Sequence, residues 1–265
     1  MNAFNYCFST LGCSEFSLHE AADLAKCHGI ATVELRALSG TADLIPALTA
    51  EFATPSRFAA FLAERDLKVA ALNTSIRLFG STDLSAVEPF IDWAEAADIS
   101  HLRIFDGGKH LGQDEMAQAA GLLDGWQALR QSRGLNVDLM IETHDSLADF
   151  DQLLAFITRL PAARILWDTH HTWTKGSDLK TLWQHIERNV VHLHVKDSTT
   201  RNDGRRRYVL PGHGDFPMAE LLSVLQSHER HIPLSLEWER HWHPELPPLD
   251  DALKAARGWW RKGAF

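Results

Sequence analysis

The fold is decided by the stretch VVHLHVKD at residues 190–197, in which apolar residues alternate with two histidines. Such alternation is typical of a β-strand, because successive side chains point to opposite faces. Three other short apolar runs end in an acidic residue, LMIE at Glu142, RILWD at Asp168 and LSLE at Glu237. A charge that closes a strand is poorly explained as core, so these three acids and His194 indicate one shared site that holds a metal ion.

Seven more predicted strands accompany this stretch, and a helical pattern follows each of the eight. The predicted strands are residues 4–9, 31–36, 68–73, 101–105, 136–142, 164–168, 190–195 and 232–238. The predicted helices are residues 17–29, 54–66, 84–97, 115–131, 147–160, 177–188, 217–229 and 249–261. Strict alternation predicts a parallel sheet, and eight units in this length predict an α/β fold with a single (β/α)8 TIM barrel domain over residues 1–265. An open doubly wound sheet is the alternative, but no GxGxxG follows the first strand.

Composition limits the functions that the chain can have. The formal net charge of −9 argues against broad nucleic-acid binding, which needs a basic surface. Three cysteines (Cys7, Cys13 and Cys27) form no paired framework, which favours a reducing compartment. The first residues lack a signal-peptide pattern, and no run approaches the about 20 apolar residues of a membrane span. We therefore expect a soluble cytoplasmic protein with no nucleic-acid or membrane partner.

The four strand-end residues Glu142, Asp168, His194 and Glu237 would converge in a barrel, because active sites lie at the carboxyl ends of its strands. Three carboxylates and one imidazole are mostly oxygen donors, which suit Mn²⁺, Mg²⁺, Co²⁺ or Zn²⁺. Such an ion could acidify a C–H beside a substrate carbonyl, and Glu142 and Glu237, on the outer two strands, could remove and return the proton through a cis-enediolate. The alternative is that these residues are barrel-mouth charges paired with arginines.

Six segments carry a resemblance to a known superfamily. They are VELR at 33–36, IETHD at 141–145, WDTHH at 167–171, HLHVKD at 192–197, LPGHGD at 210–215 and LEWE at 236–239. In this order and spacing the chain resembles the sugar phosphate isomerase/epimerase superfamily of xylose isomerase-like TIM barrels. Its relatives include ketose 3-epimerases, inosose dehydratase and endonuclease IV. The resemblance implies an isomerase or epimerase of a sugar or sugar phosphate.

The resemblance also implies roles for individual residues. Glu142, Asp168, His194 and Glu237 correspond to the metal ligands, with the two glutamates doubling as acid/base residues and Mn²⁺ as the first choice of ion. His171 corresponds to the histidine that contacts substrate oxygens in ketose 3-epimerases. Barrels of this superfamily often form homo-oligomers, although nothing in this sequence marks an interface.

Other positions are predicted from their place in the pattern. Lys196 lies two residues past His194 and shares its strand face, so it could meet a substrate oxygen or phosphate, or be a solvated lysine. Glu34 and Arg36 share one face of the second strand, as an ion pair lining the pocket or a structural one. If the substrate is phosphorylated, the backbone of Gly212 and Gly214 is a candidate phosphate site, together with the basic run at 205–207.

Three rival functions remain open. A dehydratase of a keto-cyclitol or of dehydroshikimate would use the same proton abstraction and then lose a β-hydroxyl. An endonuclease IV-like repair enzyme is disfavoured, because Asn73-Thr74 and Phe105-Asp106 stand where its additional histidines are expected. Arg206-Arg207-Tyr208 likewise replaces its Asp-Arg-His. A non-catalytic sugar-binding barrel would have lost a ligand, and none is lost here.

Overall fold

The computed structural model describes residues 5–80, 83–226 and 232–262. The strands are β1 (Asn5–Ser9), β2 (Thr32–Leu35), β3 (Lys68–Arg77), β4 (His101–Phe105), β5 (Asp138–Glu142), β6 (Ile165–Asp168), β7 (Val190–Val195), β8 (Asp197–Thr200), β9 (Arg206–Val209) and β10 (Pro233–Leu236). Eight of them form a closed barrel in the order β1-β10-β7-β6-β5-β4-β3-β2, with every neighbouring pair parallel. The predicted (β/α)8 barrel is therefore confirmed.

Helices surround the barrel. They are α1 (Leu18–His28), α2 (Leu44–Phe52), α3 (Pro55–Arg65), α4 (Glu88–Ala96), α5 (Gln113–Arg133), α6 (Phe150–Arg159), α7 (Thr169–Thr174), α8 (Leu179–Ile186), α9 (Met218–Gln226) and α10 (Leu249–Lys262). A capping box of Ser17 and Glu20 starts α1, and Gly29 ends that helix with a φ of 68°. None of the helices in these described ranges is both long and apolar enough to cross a membrane.

The structure adds elements that the hydrophobic pattern did not predict. Helices α2 and α7 are absent from the prediction, and β9 lies in the segment predicted as a polar loop. Strand β8 pairs antiparallel with β9, so this segment is a hairpin that extends from the barrel mouth. Helix α6 begins later than the predicted residue 147, after Asp149, whose side chain caps it by accepting a hydrogen bond from the backbone N–H of Gln152. Phe4 and Glu229, predicted ends of a strand and a helix, lie outside the described residues.

The barrel interior is divided into an apolar layer and a polar layer. Ala71, Met140 and Leu166 form a small buried cluster separate from the large core between the barrel and its helices. On each of these three strands, a polar residue follows the apolar one after two positions. Because side chains alternate along a strand, the apolar and the polar residue both lie on the inward face. Asn73, Glu142 and Asp168 are those polar residues, and all three are fully buried. The polar layer therefore lies at the carboxyl end of the barrel.

Candidate metal centre

Strand ends β5, β6, β7 and β10, which are consecutive in the barrel, bring the four predicted ligand residues together. One possible ligand atom from each of Glu142, Asp168, His194 and Glu237 lies within 4.8 Å of the others. Asp168 and His194 face each other in register on β6 and β7. We call these residues the four-residue cluster. Each of them is at least 95% buried, because Glu237, the most exposed, is 5% exposed.

The imidazole of His194 is oriented with one nitrogen toward the cluster and one away from it. Its Nδ1 lies 3.1 Å from Oε1 of Glu142 and 3.3 Å from Oε1 of Glu237. Its Nε2 lies 2.8 Å from Oε1 of Glu34, on the inward face of β2. Glu34 also accepts hydrogen bonds from His192 and from the side-chain amide of Asn73. Burial would lower the pKa of His194, but Glu237, Glu34 and Glu142 raise it well above its ordinary value, so both nitrogens carry a proton. A metal ion bound at Nδ1 would displace the proton there, and Nε2 would keep its proton toward Glu34.

Cations hold the two cluster glutamates in the ionised state. Burial alone would raise the pKa of Glu142, but the ion pair with Arg103 and the hydrogen bond from His194 together outweigh burial and hold that pKa well below the usual range. Burial would likewise raise the pKa of Glu237, and His194 and Lys196 together lower it. Both carboxylates are therefore able to accept a proton at neutral pH.

Lys196 is a buried part of the site and not a solvated lysine. Its Nζ lies 2.7 Å from Oδ2 of Asp168, 2.5 Å from Oε2 of Glu237 and 2.7 Å from Oε1 of Glu239. The residue is 1% exposed. Burial would lower the pKa of Lys196, but the three carboxylates raise it well above its ordinary value. The ammonium group therefore links two residues of the four-residue cluster to the next carboxylate along the chain.

The donor set fits a divalent cation by its charge as well as its chemistry. Five carboxylates gather in and around the four-residue cluster: Glu34, Glu142, Asp168, Glu237 and Glu239. The cations among them are Arg36, Arg103 and Lys196. A metal ligand must be a neutral imidazole, and with His194 in that state the carboxylates exceed the cations by two charges. A buried excess of this kind is costly unless a cation compensates it. The residues present therefore fit a divalent metal ion.

A cavity of about 350 Å³ opens above the cluster at the barrel mouth. Glu142 and Glu237 line it, and so does His171, whose side chain is 17% exposed. The ring of His171 is fixed on its inner side, because Nδ1 lies 3.2 Å from the carbonyl oxygen of Thr143 and 3.4 Å from Oδ2 of Asp168. His171 therefore lies where a molecule above the cluster would meet it.

The structure does not provide the phosphate site suggested by the glycine loop. The backbone N–H groups of Gly212 and Gly214 both donate to Oδ2 of Asp197, at 2.9 Å each. Oδ1 of Asp197 accepts from the N–H of Phe216 at 3.1 Å. A Cβ on Gly214 would lie 2.3 Å from Oδ1 of Asp197, so only glycine fits there. This loop uses its own carboxylate, which leaves those amides no capacity for an external anion.

Sequence reasoning missed several residues of the site. Glu34 was considered as a partner of Arg36, but its carboxylate contacts His192 and His194. Arg103 was not singled out, although it is an inward-facing charge within an apolar strand, and that pattern could have identified it. Glu239 was quoted only as part of the LEWE segment, and no local signal shows that it reaches Lys196.

A closed parallel barrel with acidic residues and a histidine at the carboxyl ends of its strands defines the class of (β/α)8 barrels that carry a potential metal centre. The sequence profile of the family described as xylose isomerase-like TIM barrel matches residues 22–263. The chain therefore belongs to that family, whose known members include epimerases, dehydratases and isomerases. No curated protein matches the sequence significantly.

Solved structures share this fold at low sequence identity. The probable 3-DHS dehydratase AsbF involved in petrobactin synthesis from Bacillus anthracis has a TM-score of 0.76 and 19% identity, with 96% of this chain and 99% of that chain covered. The IolI protein with a binding zinc atom has a TM-score of 0.77 and 15% identity, with 98% of each chain covered. An L-ribulose 3-epimerase has a TM-score of 0.72 and 14% identity, covering 98% of this chain and 94% of that one. At these identities the likeness shows the fold alone.

Proposed function

We propose that the chain is a divalent-metal-dependent isomerase or epimerase of a small sugar or sugar derivative, working by proton transfer through a cis-enediolate. The observation that carries this proposal is the pair Glu142 and Glu237. Both carboxylates line the same cavity, both are held ionised, and both belong to the four-residue cluster. A base on each side of a bound carbon can remove a proton from one face and return it to the same or the other face.

The proposed metal ligands are Glu142, Asp168, His194 and Glu237. When bound, a divalent ion would polarise the substrate carbonyl and stabilise negative charge on its oxygen. Mn²⁺ is the first candidate for a mostly oxygen donor set, and Zn²⁺ is supported by the zinc atom of the IolI structure. The IolI likeness supports only the class of ion, because that protein is 15% identical to this chain.

The other site residues orient the substrate and hold charge. His171 would contact a substrate oxygen from the cavity wall, with its ring held by Thr143 and Asp168. Lys196 would keep Glu237 ionised through its 2.5 Å hydrogen bond to Oε2. A direct contact of Lys196 with substrate requires Nζ to exchange one of its three carboxylate partners for a substrate oxygen.

Exchange of substrate hydrogen with solvent tests this proposal. The protein with Mn²⁺ is incubated in D₂O with a panel of ketoses, ketose phosphates and keto acids, and deuterium at the carbon beside the carbonyl is followed by NMR. We expect exchange with at least one compound, and a loss of at least about 100-fold in Glu142→Gln and Glu237→Gln. Glu64→Gln, at an exposed position on α3, is the matched control. Absence of exchange across the panel at full metal occupancy would overturn the proposal.

A dehydratase is the second candidate, and two observations favour it. One neighbour of this fold is described as a probable 3-DHS dehydratase, and arginines line the same cavity as the acidic residues. The same proton abstraction followed by loss of a β-hydroxyl gives an enone and water. A product whose ultraviolet absorbance grows with time would support the dehydratase, whereas a reversible mixture of stereoisomers would support the isomerase.

A further inference from the structure

Three arginines line the side of the cavity formed by β2, β3 and β4. They are Arg36, one residue past β2, Arg77, the last residue of β3, and Arg103 in β4, and we call them the arginine wall. Across the cavity, the cluster carboxylate Glu237 and its neighbour Glu239 line the wall that follows β10. The cavity therefore has a cationic side formed by β2 to β4, which meets the proposed acid/base residues at the ion pair of Arg103 with Glu142.

Arg36 is a buried cation whose hydrogen-bond partners are all neutral. It is 7% exposed, and its guanidinium donates to the carbonyl oxygen of Ala42 at 3.2 Å and to the hydroxyl of Ser75 at 3.1 Å. Within the part of the chain that the structure describes, no carboxylate forms an ion pair with it. Burial, and then the nearby Arg103, lower its pKa to about 10, so it stays charged at neutral pH. Glu237, Glu142 and Glu34 are near enough to act on its charge but form no hydrogen bond with it. The bonds to Ala42 and Ser75 use two of the five N–H donors of the guanidinium, so other donors can bind an anion in the cavity that Arg36 lines.

Aromatic rings and a glycine fix the positions of these guanidinium groups. Arg36 lies 5.9 Å from the ring centroid of Trp242, which also lines the cavity. Phe105 lies 5.7 Å from the guanidinium of Arg77 and 5.0 Å from that of Arg103. A Cβ on Gly107 would lie 2.8 Å from the side chain of Arg77, so this close packing requires glycine. The wall is thus held in place before any ligand binds, which lowers the entropic cost of binding.

We infer that the arginine wall is an oxyanion subsite, and that the substrate is a polyhydroxylated keto acid whose carboxylate lies against Arg36 and Arg77. The inference rests on the proposed function for the reactive end of the molecule, which lies over the four-residue cluster. Guanidinium groups match the planar fork of a carboxylate and bind it through paired hydrogen bonds. Arg103 is already paired with Glu142, so its main contribution to the subsite is positive electrostatic potential and not a free hydrogen-bond donor.

Two features of the cavity favour a carboxylate over a phosphate as the bound anion: the occupied amides of the glycine loop and the acidic residues in the cavity wall. The glycine-loop amides that would hold a phosphate are occupied by Asp197. Asp145 and Glu239 also line the cavity, and their negative charge opposes a dianion more strongly than a monoanion. Phosphate esters remain an arm of the test, because arginine binds both groups.

Binding of matched ligands tests the subsite separately from catalysis. Isothermal titration calorimetry compares shikimate, a cyclic hydroxy acid, with myo-inositol, a neutral cyclitol of similar size, on the full chain with Mn²⁺. We expect shikimate to bind at least about 10-fold more tightly, and Arg36→Gln to remove that advantage. Arg77→Gln should weaken shikimate binding less, because Arg77 is exposed. Arg57→Gln, an exposed arginine on α3, is the control and should change nothing.

Thermal unfolding separates a lost contact from a lost fold. Arg36→Gln removes one of the three cations that offset the surrounding carboxylates, so we expect a lower Tm than that of the unchanged protein with a single cooperative transition retained. Equal binding of shikimate and myo-inositol, or shikimate binding unaffected by Arg36→Gln, would overturn the subsite. If ribulose 5-phosphate binds more tightly than shikimate, and Arg36→Gln weakens its binding, the choice of a carboxylate over a phosphate is overturned.

The outcome also separates the subsite from the proposed function. If shikimate binds through Arg36 while no compound exchanges hydrogen with D₂O, the subsite stands and the proposed function fails. If neutral ketoses exchange at a rate that Arg36→Gln leaves unchanged, the function stands and the subsite fails.

Discussion

The Nε2 atom of His194 lies 2.8 Å from Oε1 of Glu34, although the two residues are 160 positions apart in the chain. Glu34 is fully buried inside the barrel and also lies 2.6 Å from Nε2 of His192. Burial would raise the pKa of Glu34, but His194 and His192 outweigh it and hold the carboxylate ionised. The contact fixes which nitrogen of His194 faces the four-residue cluster, so Glu34 is a positioning residue for the proposed metal ligand.

The first prediction concerns this contact. Replacement of Glu34 by Gln should lower the affinity for Mn²⁺ by about 10- to 100-fold, because a ring without its carboxylate partner is less basic and less well oriented. Titration of Mn²⁺ into the metal-free protein measures the change directly, independent of activity. Glu64→Gln on α3 is the control. An unchanged affinity in Glu34→Gln would show that Glu34 serves only the barrel core.

The second prediction concerns Lys196. Lys196→Met should destabilise the metal-free protein by about 3–5 kcal/mol, because it leaves Asp168, Glu237 and Glu239 as buried carboxylates without their shared cation. The same variant should gain more stability from Mn²⁺ than the unchanged protein does, since its cluster carries one more uncompensated negative charge. Urea unfolding with Mn²⁺ and with a chelator measures both effects.

Lys196→Arg serves as the matched variant, because it keeps the positive charge but changes its shape. It should recover part of the lost stability and lack the enhanced response to Mn²⁺. A Lys196→Met protein as stable as the original would contradict the buried, triply paired lysine.

The positions of the barrel strands could be predicted from sequence because most of them are short and apolar and are closed by a charge or a turn. Strand β3 continues to Arg77, past the predicted end at residue 73, because its second half, NTSIR, is mostly polar. The same pattern placed Glu142, Asp168, His194 and Glu237 at strand ends, and barrel closure alone brings neighbouring strand ends together. Their proposed role as ligands is a separate hypothesis, which metal titration must test. The sequence alone was therefore sufficient to predict the fold and the convergence of these four residues.

The hydrogen-bond partners of these residues could not be predicted from the sequence, because they depend on contacts across the barrel. Strand alternation puts Glu34 and Arg36 on one face of the chain, but it does not say that Glu34 meets His194 while Arg36 meets Ser75. The hairpin of β8 and β9 was missed because its residues are mostly polar and lack an apolar period. Its loop is ordered by one buried carboxylate, Asp197, which no local pattern reveals.

The third prediction concerns the charge of the four-residue cluster. A divalent ion that displaces the Nδ1 proton of His194 meets carboxylates that exceed the cations by two charges, so it should bind the folded state and stabilise it. At a free Mn²⁺ concentration of 100 times Kd the gain is about 2.7 kcal/mol, which corresponds to a Tm rise of roughly 5–10 °C for a chain of this size. Differential scanning fluorimetry with increasing Mn²⁺ checks this. The Tm of Glu237→Gln should respond much less, and a Tm that is the same with Mn²⁺ and with a chelator would contradict the site.

The fourth prediction concerns Asp197, whose two oxygens divide the loop amides between them. Oδ2 accepts from Gly212 and Gly214, and Oδ1 accepts from Phe216. An asparagine has one acceptor oxygen, so Asp197→Asn should keep that oxygen on the two glycine amides and leave the N–H of Phe216 facing an amide group.

Hydrogen exchange at individual amides measures this redistribution. The amide of Phe216 should exchange faster in Asp197→Asn by a larger factor than those of Gly212 and Gly214, and the protein should lose on the order of 1–3 kcal/mol of stability. Affinity for Mn²⁺ should stay unchanged, because no atom of Asp197 belongs to the four-residue cluster. Asp215→Asn is the control, since its carboxylate accepts from the exposed N–H of Thr200 at 3.1 Å. Equal acceleration at all three amides would show that the whole loop opens as a unit and that the two oxygens of Asp197 do not act separately.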